Sequence, residues 1–144
     1  MINVRLIKTS DRLYPLEQEL RNKILLRPVG IPDHAWEMHD EKSWHFVAVE
    51  AGQVLGCVVL VPLDGPEMKG QLIQMAVDGT QQGKGVGKLL VKELFAFCEL
   101  EGIHEVVCHA RDSAVPFYRS LGFEAYGEPF EEVGIKHMHM RIVL

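Results

Sequence analysis

Between Val77 and Leu90 the chain reads Val-Asp-Gly-Thr-Gln-Gln-Gly-Lys-Gly-Val-Gly-Lys-Leu-Leu, with glycines at positions 83, 85 and 87. The apolar run Leu72–Val77 enters this segment, and an amphipathic run leaves it from Val86. That order is strand, glycine loop, helix. The first turn of a helix carries N–H groups with no intrahelical partner and a partial positive charge. Glycine lacks the Cβ that would hold a phosphate away from the backbone. The segment therefore reads as a diphosphate cradle. The alternative is a helix that starts on flexible glycines and binds nothing, although such glycines cost about 1 kcal/mol each against alanine.

Spacing narrows the choice of diphosphate. A P-loop has glycine, four residues, then Gly-Lys-Ser/Thr. Gly79 to Gly83 is one residue too short, and Gly85 follows Lys84 where Ser or Thr should stand. Gly87-Lys88 is followed by Leu89 and fails too. A dinucleotide fingerprint has Gly-x-Gly-x-x-Gly, and Gly83-Lys84-Gly85-Val86-Gly87 is one residue short of it. What remains is Gln82-x-x-Gly85-x-Gly87 behind a strand.

The 144 residues suit one domain, and 47% hydrophobic residues can build an ordinary core. The formal net charge of −5 and the lack of a basic stripe argue against nucleic acid as a partner. An acidic surface suits a cationic substrate such as an amine. Cys57, Cys98 and Cys108 lie in apolar contexts without a Cys-x-x-Cys pair, and read as buried thiols of a cytoplasmic protein. The start, Met1-Ile2-Asn3-Val4-Arg5, lacks the apolar core of a signal peptide. No apolar run reaches the ~20 residues of a membrane helix, so no membrane partner is expected.

Along the chain, Ile2–Lys8 alternates like a strand. Asp11 can cap a helix from about Arg12, with Leu13, Leu16, Leu20 and Ile24 at helical spacing; Pro28, Gly30 and Pro32 end it. Residues 33–43 read as a loop or short helix. Strands follow at His45–Val49, Val54–Val61 and Leu72–Val77, with a loop at Pro62–Gly70. Val86, Leu89, Leu90, Leu94, Phe97 and Cys98 mark a helix closed by Gly102. A strand at Glu105–His109 comes next, then a helix at Ala114–Leu121 capped by Asp112 or Ser113. Strands at Phe123–Tyr126 and His137–Val143 finish the chain. The order β-α-β-β-β-α-β-α-β-β predicts an α/β layered domain with a mixed sheet.

A second pattern, Ala114-Val-Pro-Phe117-Tyr118-Arg-Ser-Leu-Gly122-Phe123, stands one short strand after the glycine-loop helix. Together with Gln82-x-x-Gly85-x-Gly87 it resembles the paired motifs of the GNAT superfamily of acyl-CoA-dependent N-acyltransferases. The element order matches that fold over nearly the whole chain. Glu37-Met-His-Asp40…His45-Phe-Val-Ala and Phe130-x-Glu132-x-Gly134-Ile135-x-His137-x-x-Met140 are similar to a subgroup of small bacterial acetyltransferases.

The resemblance implies a single GNAT domain over residues 1–144, with a mostly antiparallel sheet flanked by helices. It implies transfer of an acetyl group from acetyl-CoA to a small-molecule or peptide primary amine, by direct attack in a ternary complex. Backbone N–H groups from Gln82 through Gly83, Lys84, Gly85, Val86, Gly87 and Lys88 would hold the CoA diphosphate, with Lys84 and Lys88 adding charge. The edge at Met75, Ala76 and Val77 would pair with the pantetheine arm as an extra strand and offer an N–H to the thioester oxygen. Phe117 packs beside it. Tyr118 would be the general acid, because a phenol of pKa ~10 can donate to a thiolate of pKa ~8.5–9.5.

Several relatives carry a glutamate base where this chain has Gln74, and glutamine cannot serve. Glu132, His137, His45 and His109 are the candidate bases, with water relay as the alternative. Arg111 stands where relatives often have asparagine; it can reach a CoA phosphate or bind an acidic substrate. His137 and His139 share a strand face, but no third ligand is evident and no metal is expected. The acceptor pocket is expected from residues 27–43 and 127–136. Dimers are common in the resembling family, so a homodimer is possible. Two rivals share these residues: a non-catalytic acyl-CoA sensor, and an acyltransferase with a longer donor or an oxygen acceptor.

Overall fold

The computed structural model describes residues 1–65 and 68–144. Seven strands form one sheet: β1 (Asn3–Ile7), β2 (Trp44–Glu50), β3 (Gln53–Leu63), β4 (Lys69–Val77), β5 (Glu105–Arg111), β6 (Glu124–Glu132) and β7 (Ile135–Val143). Their spatial order is β1-β2-β3-β4-β5-β7-β6. Every neighbouring pair is antiparallel except β4 and β5. That parallel pair is joined through helix α2 (Val86–Glu101); the other helices are α1 (Tyr14–Arg21) and α3 (Val115–Ser120). This is the mixed, mostly antiparallel α/β architecture expected.

Alternate strand residues feed two cores, one on each face. Phe46, Ala48, Val58 and Leu60 join Leu90, Leu94 and Cys98 of α2 and Met140 of β7. Val47 and Cys57 join Leu13, Leu20 and Ala76 under α1. The centre of β3 is covered on both sides, which is why Cys57-Val-Val-Leu-Val61 reads as a continuous apolar run. Each buried Val or Leu contributes about 1.5–3 kcal/mol over leaving it exposed.

Helix α2 ends as its sequence dictates. Gly102 adopts φ +74 and returns its N–H to Cys98 O. Gly56 on β3 sets the seat of the helix: a Cβ there would lie 2.9 Å from Val86 Cγ1 and 3.0 Å from Leu90 Cδ1. The close approach fixes the start of α2, and hence the glycine loop, against the sheet.

Some boundaries differ from those read in the sequence. Asp11 Oδ1 does accept from Leu13 N–H at 2.9 Å, but regular helix begins only at Tyr14. The helix then loosens into a π-helical turn at Asn22–Leu26 and a 3₁₀ turn at Arg27–Val29, before Gly30 closes it at φ +75. The loop expected at Pro62–Gly70 is shorter: β3 runs to Leu63 and β4 starts at Lys69. Pro62 is tolerated because β3 has outrun β2 there, whose pairing begins at Trp44↔Leu60. Residues 66 and 67 of that loop lie outside the described residues. Neither Asp112 nor Ser113 caps α3 through its side chain; a 3₁₀ turn at Asp112–Ala114 leads into it. Strand β6 runs on to Glu132 through a bulge between Tyr126 and Phe130, and Val133-Gly134 turns it into β7.

Candidate active site

The sheet opens in its middle. Pairing of β4 with β5 runs only from Lys69↔Glu105 to Leu72↔Cys108. Strand β5 continues to Arg111 alongside β7, while β4 continues to Val77 alongside β3. The cause is a bulge: Ile73 pairs with Val59 and Ala76 with Cys57, so Gln74 and Met75 together face Val58. Gln74 takes φ +53, which is uncommon for a residue with a Cβ. Past Leu72, the β5-side edge of β4 has no strand partner among the described residues.

A cavity of about 640 Å³ lies at this opening, lined among others by Gln74, Met75, Arg111, Tyr118, Glu132 and His137. That volume falls in the ordinary range of small-molecule sites. Both expected acceptor segments contribute to the wall, through Trp36 and Met38 and through Glu132 and Val133.

Tyr118 is buried on α3, edge-on to Phe117 and Phe123 at ring separations of 5.1 and 5.4 Å. Burial, and secondarily the nearby Cys108 thiol, pushes its phenol pKa well above the ordinary value. It is therefore protonated throughout the neutral range, and a weaker acid than a free phenol. Phe117 also fills the space left by Gly87, whose Cβ would approach its ring at 3.2 Å.

Among the base candidates, Glu132 and His137 come together. His137 is 4% exposed, and its Nδ1–H donates to Ile135 O at 2.7 Å. A carbonyl only accepts, so this fixes the tautomer and leaves Nε2 facing Glu132 Oε2 at 3.6 Å. His109 Nδ1 reaches the other oxygen, Oε1, at 3.3 Å. The ring of Phe130 stacks on His137 and His139. His45 does not join them. It is fully buried beneath α1, with Nδ1 on Glu17 at 2.8 Å and Nε2 donating to Asp40 O at 2.8 Å, and it does not line the cavity.

The glycine loop follows β4, outside the cavity lining. Asp78 opens it by accepting from Thr80 N–H at 3.0 Å, and Gln82 Nε2 ties back to Val77 O at 3.1 Å. Gly83 and Gly85 take φ +81 and +83, with nothing within 4 Å of an added Cβ. Leu89 N–H bonds Gly85 O at 3.0 Å, so the amides of Val86, Gly87 and Lys88 form the helix's first turn without intrahelical partners. The Lys84 amide is turned inward to Gln81 O at 3.3 Å. Val86 is buried and offers only its backbone, while the Lys84 and Lys88 side chains are exposed.

A charged network behind Gln74 has no counterpart in the sequence reading. Arg21 is 2% exposed. Its Nη1 donates to Glu17 at 2.9 Å and Asp40 at 2.8 Å, its Nη2 to Trp36 O at 2.9 Å, and its Nε to Gln74 Oε1 at 3.2 Å. Tyr14 donates its hydroxyl to Asp40. Burial opposes the Arg21 charge, yet the Asp40 and Glu17 carboxylates raise its pKa above the ordinary value. Glu17, Asp40 and His45 could together ligate a cation by proximity, but the Arg21 guanidinium already pairs with both carboxylates and His45 with Glu17. The only trace in the sequence is the i,i+4 pair Glu17–Arg21 inside an amphipathic helix, which ordinarily marks a solvated face.

Residues 31–144 match the acetyltransferase (GNAT) domain family, and the chain belongs to it. Human N-acetyltransferase 8B is 33% identical over 107 residues, 70% of this chain and 47% of that protein. The chain spans about half the length of the curated relatives it matches. An acyl-CoA N-acyltransferase from Pseudomonas aeruginosa superposes with a TM-score of 0.84 at 21% identity, over 98% of this chain and 99% of that one. A GNAT family acetyltransferase from Elizabethkingia anophelis with acetyl-CoA bound superposes with a TM-score of 0.76 at 18% identity, over 99% and 98%. Both likenesses concern the fold.

Proposed function

We propose that residues 1–144 act as one acetyltransferase domain that moves the acetyl group of acetyl-CoA to a primary amine, with both substrates bound together. The observation that carries this reading is the parting of β4 from β5 after Leu72, with Tyr118 buried at the opening and the glycine loop at the end of β4. Acetyl-CoA bound in the E. anophelis protein supports the donor.

The diphosphate rests on the first-turn amides of α2 and on the backbone at Gly83 and Gly85. The pantetheine runs along the open edge at Met75, Ala76 and Val77 as a pseudo-strand. An N–H of that edge faces the thioester oxygen, where charge develops on attack. Glu132 and His137 take the ammonium proton, and Glu132, 47% exposed in its side chain, passes it to water. The free amine forms the C–N bond, the C–S bond breaks, the departing thiolate receives a proton from Tyr118, and the second proton shed by the nitrogen as it becomes an amide restores the phenol. The chemistry is mainly positioning. Free buried cysteines support a cytoplasmic location. Among the described residues, no helix is long and apolar enough to cross a membrane.

Thiol release over a panel of amines, set beside direct acetyl-CoA binding, tests the reading. Turnover with at least one amine class is expected. Tight binding without turnover across the panel identifies a sensor instead. Gly85→Glu, which puts bulk and negative charge in the cradle, is expected to abolish binding.

A further inference from the structure

Gln74 sits at the bulge that opens the sheet, and its side chain is oriented from behind. Arg21 has donors only, so the atom of Gln74 that faces its Nε at 3.2 Å is the carbonyl Oε1. Arg21 cannot turn to suit another arrangement, because Glu17, Asp40 and the Trp36 carbonyl hold its remaining nitrogens. The amide Nε2 of Gln74 is thus left as a donor. Gln74 lines the cavity, and no group among the described residues accepts from that nitrogen.

Arg111 gives the second, independent sign. It lines the same cavity and has no ionic or hydrogen-bond partner among the described residues. Across the ladder it lies opposite His137, so both side chains project from one face, with Cβ atoms about 4.5–5.5 Å apart. His137 in turn faces Glu132 at 3.6 Å. An unpaired guanidinium therefore stands beside the pair assigned to the amine's proton. Its planar fork matches a carboxylate. The diphosphate loop lies outside this cavity, so the CoA phosphates are not the natural counter-ion.

We propose that the acceptor is an amine carrying a carboxylate close to its nitrogen, with Arg111 and the Gln74 side-chain amide gripping the carboxylate while Glu132 and His137 face the nitrogen. The proposal rests on the acetyltransferase reading. It also gives the glutamine a purpose. A glutamate at position 74 would bring negative charge against the incoming carboxylate and would ion-pair with Arg21, which would unfit it as a base.

The experiment compares α-amino acids with their matched primary amides as acceptors, each at equal concentration of the free-base amine. The unaltered protein is expected to favour the acids at least about 10-fold in kcat/KM, the scale of one good charged contact. Arg111→Gln should erase that preference through the acceptor KM, leaving the acetyl-CoA KM within about twofold. Gln74→Glu should depress use of the acids more than of the amides. Equal or better use of the amides by the unaltered protein overturns the carboxylate assignment and leaves acetyl transfer standing. So does an Arg111→Gln effect confined to the acetyl-CoA KM. No turnover with any amine, acid or neutral, defeats both readings.

Discussion

Both faces of the sheet bury an apolar cluster, but only the α1 face adds a buried charged one to it. The α2 face is filled by Leu60, Leu90, Leu94, Val106 and Met140, with the Tyr118 phenol as its one polar handle at the opening. The α1 face holds Glu17, Arg21, Asp40 and His45 at 2% exposure or less. An apolar core fixes volume, and its members can be exchanged for others of similar size. A charged core fixes direction: each guanidinium nitrogen is held toward its own partners. Buried ion pairs return little net stability once desolvation is counted. One oxygen, Asp40 Oδ1, has no hydrogen-bond partner among the described residues, at a cost of about 1–3 kcal/mol. What the α1 face obtains is a fixed Gln74 at the bulge that opens the sheet.

Replacing Arg21 should break this contrast most severely. Arg21→Leu removes the one guanidinium that two buried carboxylates share, and a loss of about 3–5 kcal/mol in urea unfolding is expected. A loss below about 1 kcal/mol would mean the network is solvated and directs nothing. On the opposite face, Leu94→Ala should cost about 2–5 kcal/mol by leaving a cavity, and that cost should not vary with pH.

Tyr118→Phe keeps the aromatic packing and removes the hydroxyl proposed to donate the proton. Turnover should fall about 100-fold while acetyl-CoA affinity, read by calorimetry, stays nearly unchanged. Lost affinity with normal turnover would contradict the acid role.

The smallest effect separates the faces by pH. Burial alone would lower the His45 pKa, but the Glu17 hydrogen bond and charge, with the Asp40 carbonyl, outweigh it and raise it. The stability from His45 is thus complete below its unfolded pKa of ~6.5 and disappears as pH rises through the higher folded value. Every tenfold gain in proton affinity on folding is worth about 1.4 kcal/mol. Urea midpoints should decline as pH rises above about 6.5 for the unaltered protein and hold flatter for His45→Gln. Equal slopes would remove His45 from the charged network.

The α2 face is legible in the sequence because its signals are local. Helix α2 runs from Val86 to Glu101, as its apolar spacing and Gly102 indicate. The Ala-x-x-Phe-Tyr pattern likewise places Tyr118 on a short helix beside the opening. The charged cluster of the α1 face is not legible. It joins positions 17, 21, 40, 45 and 74, and no periodicity within one element couples charges so far apart. The same limit hides the bulge, since Gln74 lies in an apolar strand pattern whose irregularity belongs to its pairing with β3. The length of β6 is hidden for a third reason. Gly127 and Pro129 read as breakers, yet an edge strand accommodates both at a bulge. Glu132 and His137 can be named from the sequence, but only the β6–β7 hairpin brings them face to face.

The central claim is that the opened sheet and the glycine loop bind one molecule of acetyl-CoA between them. A crystal structure of the protein soaked in acetyl-CoA tests this most directly. The expected density places the pyrophosphate on the amides between Gly83 and Lys88 and the thioester beside Met75 and Tyr118. Density elsewhere on the molecule, or a loop left empty at saturating ligand, would contradict it.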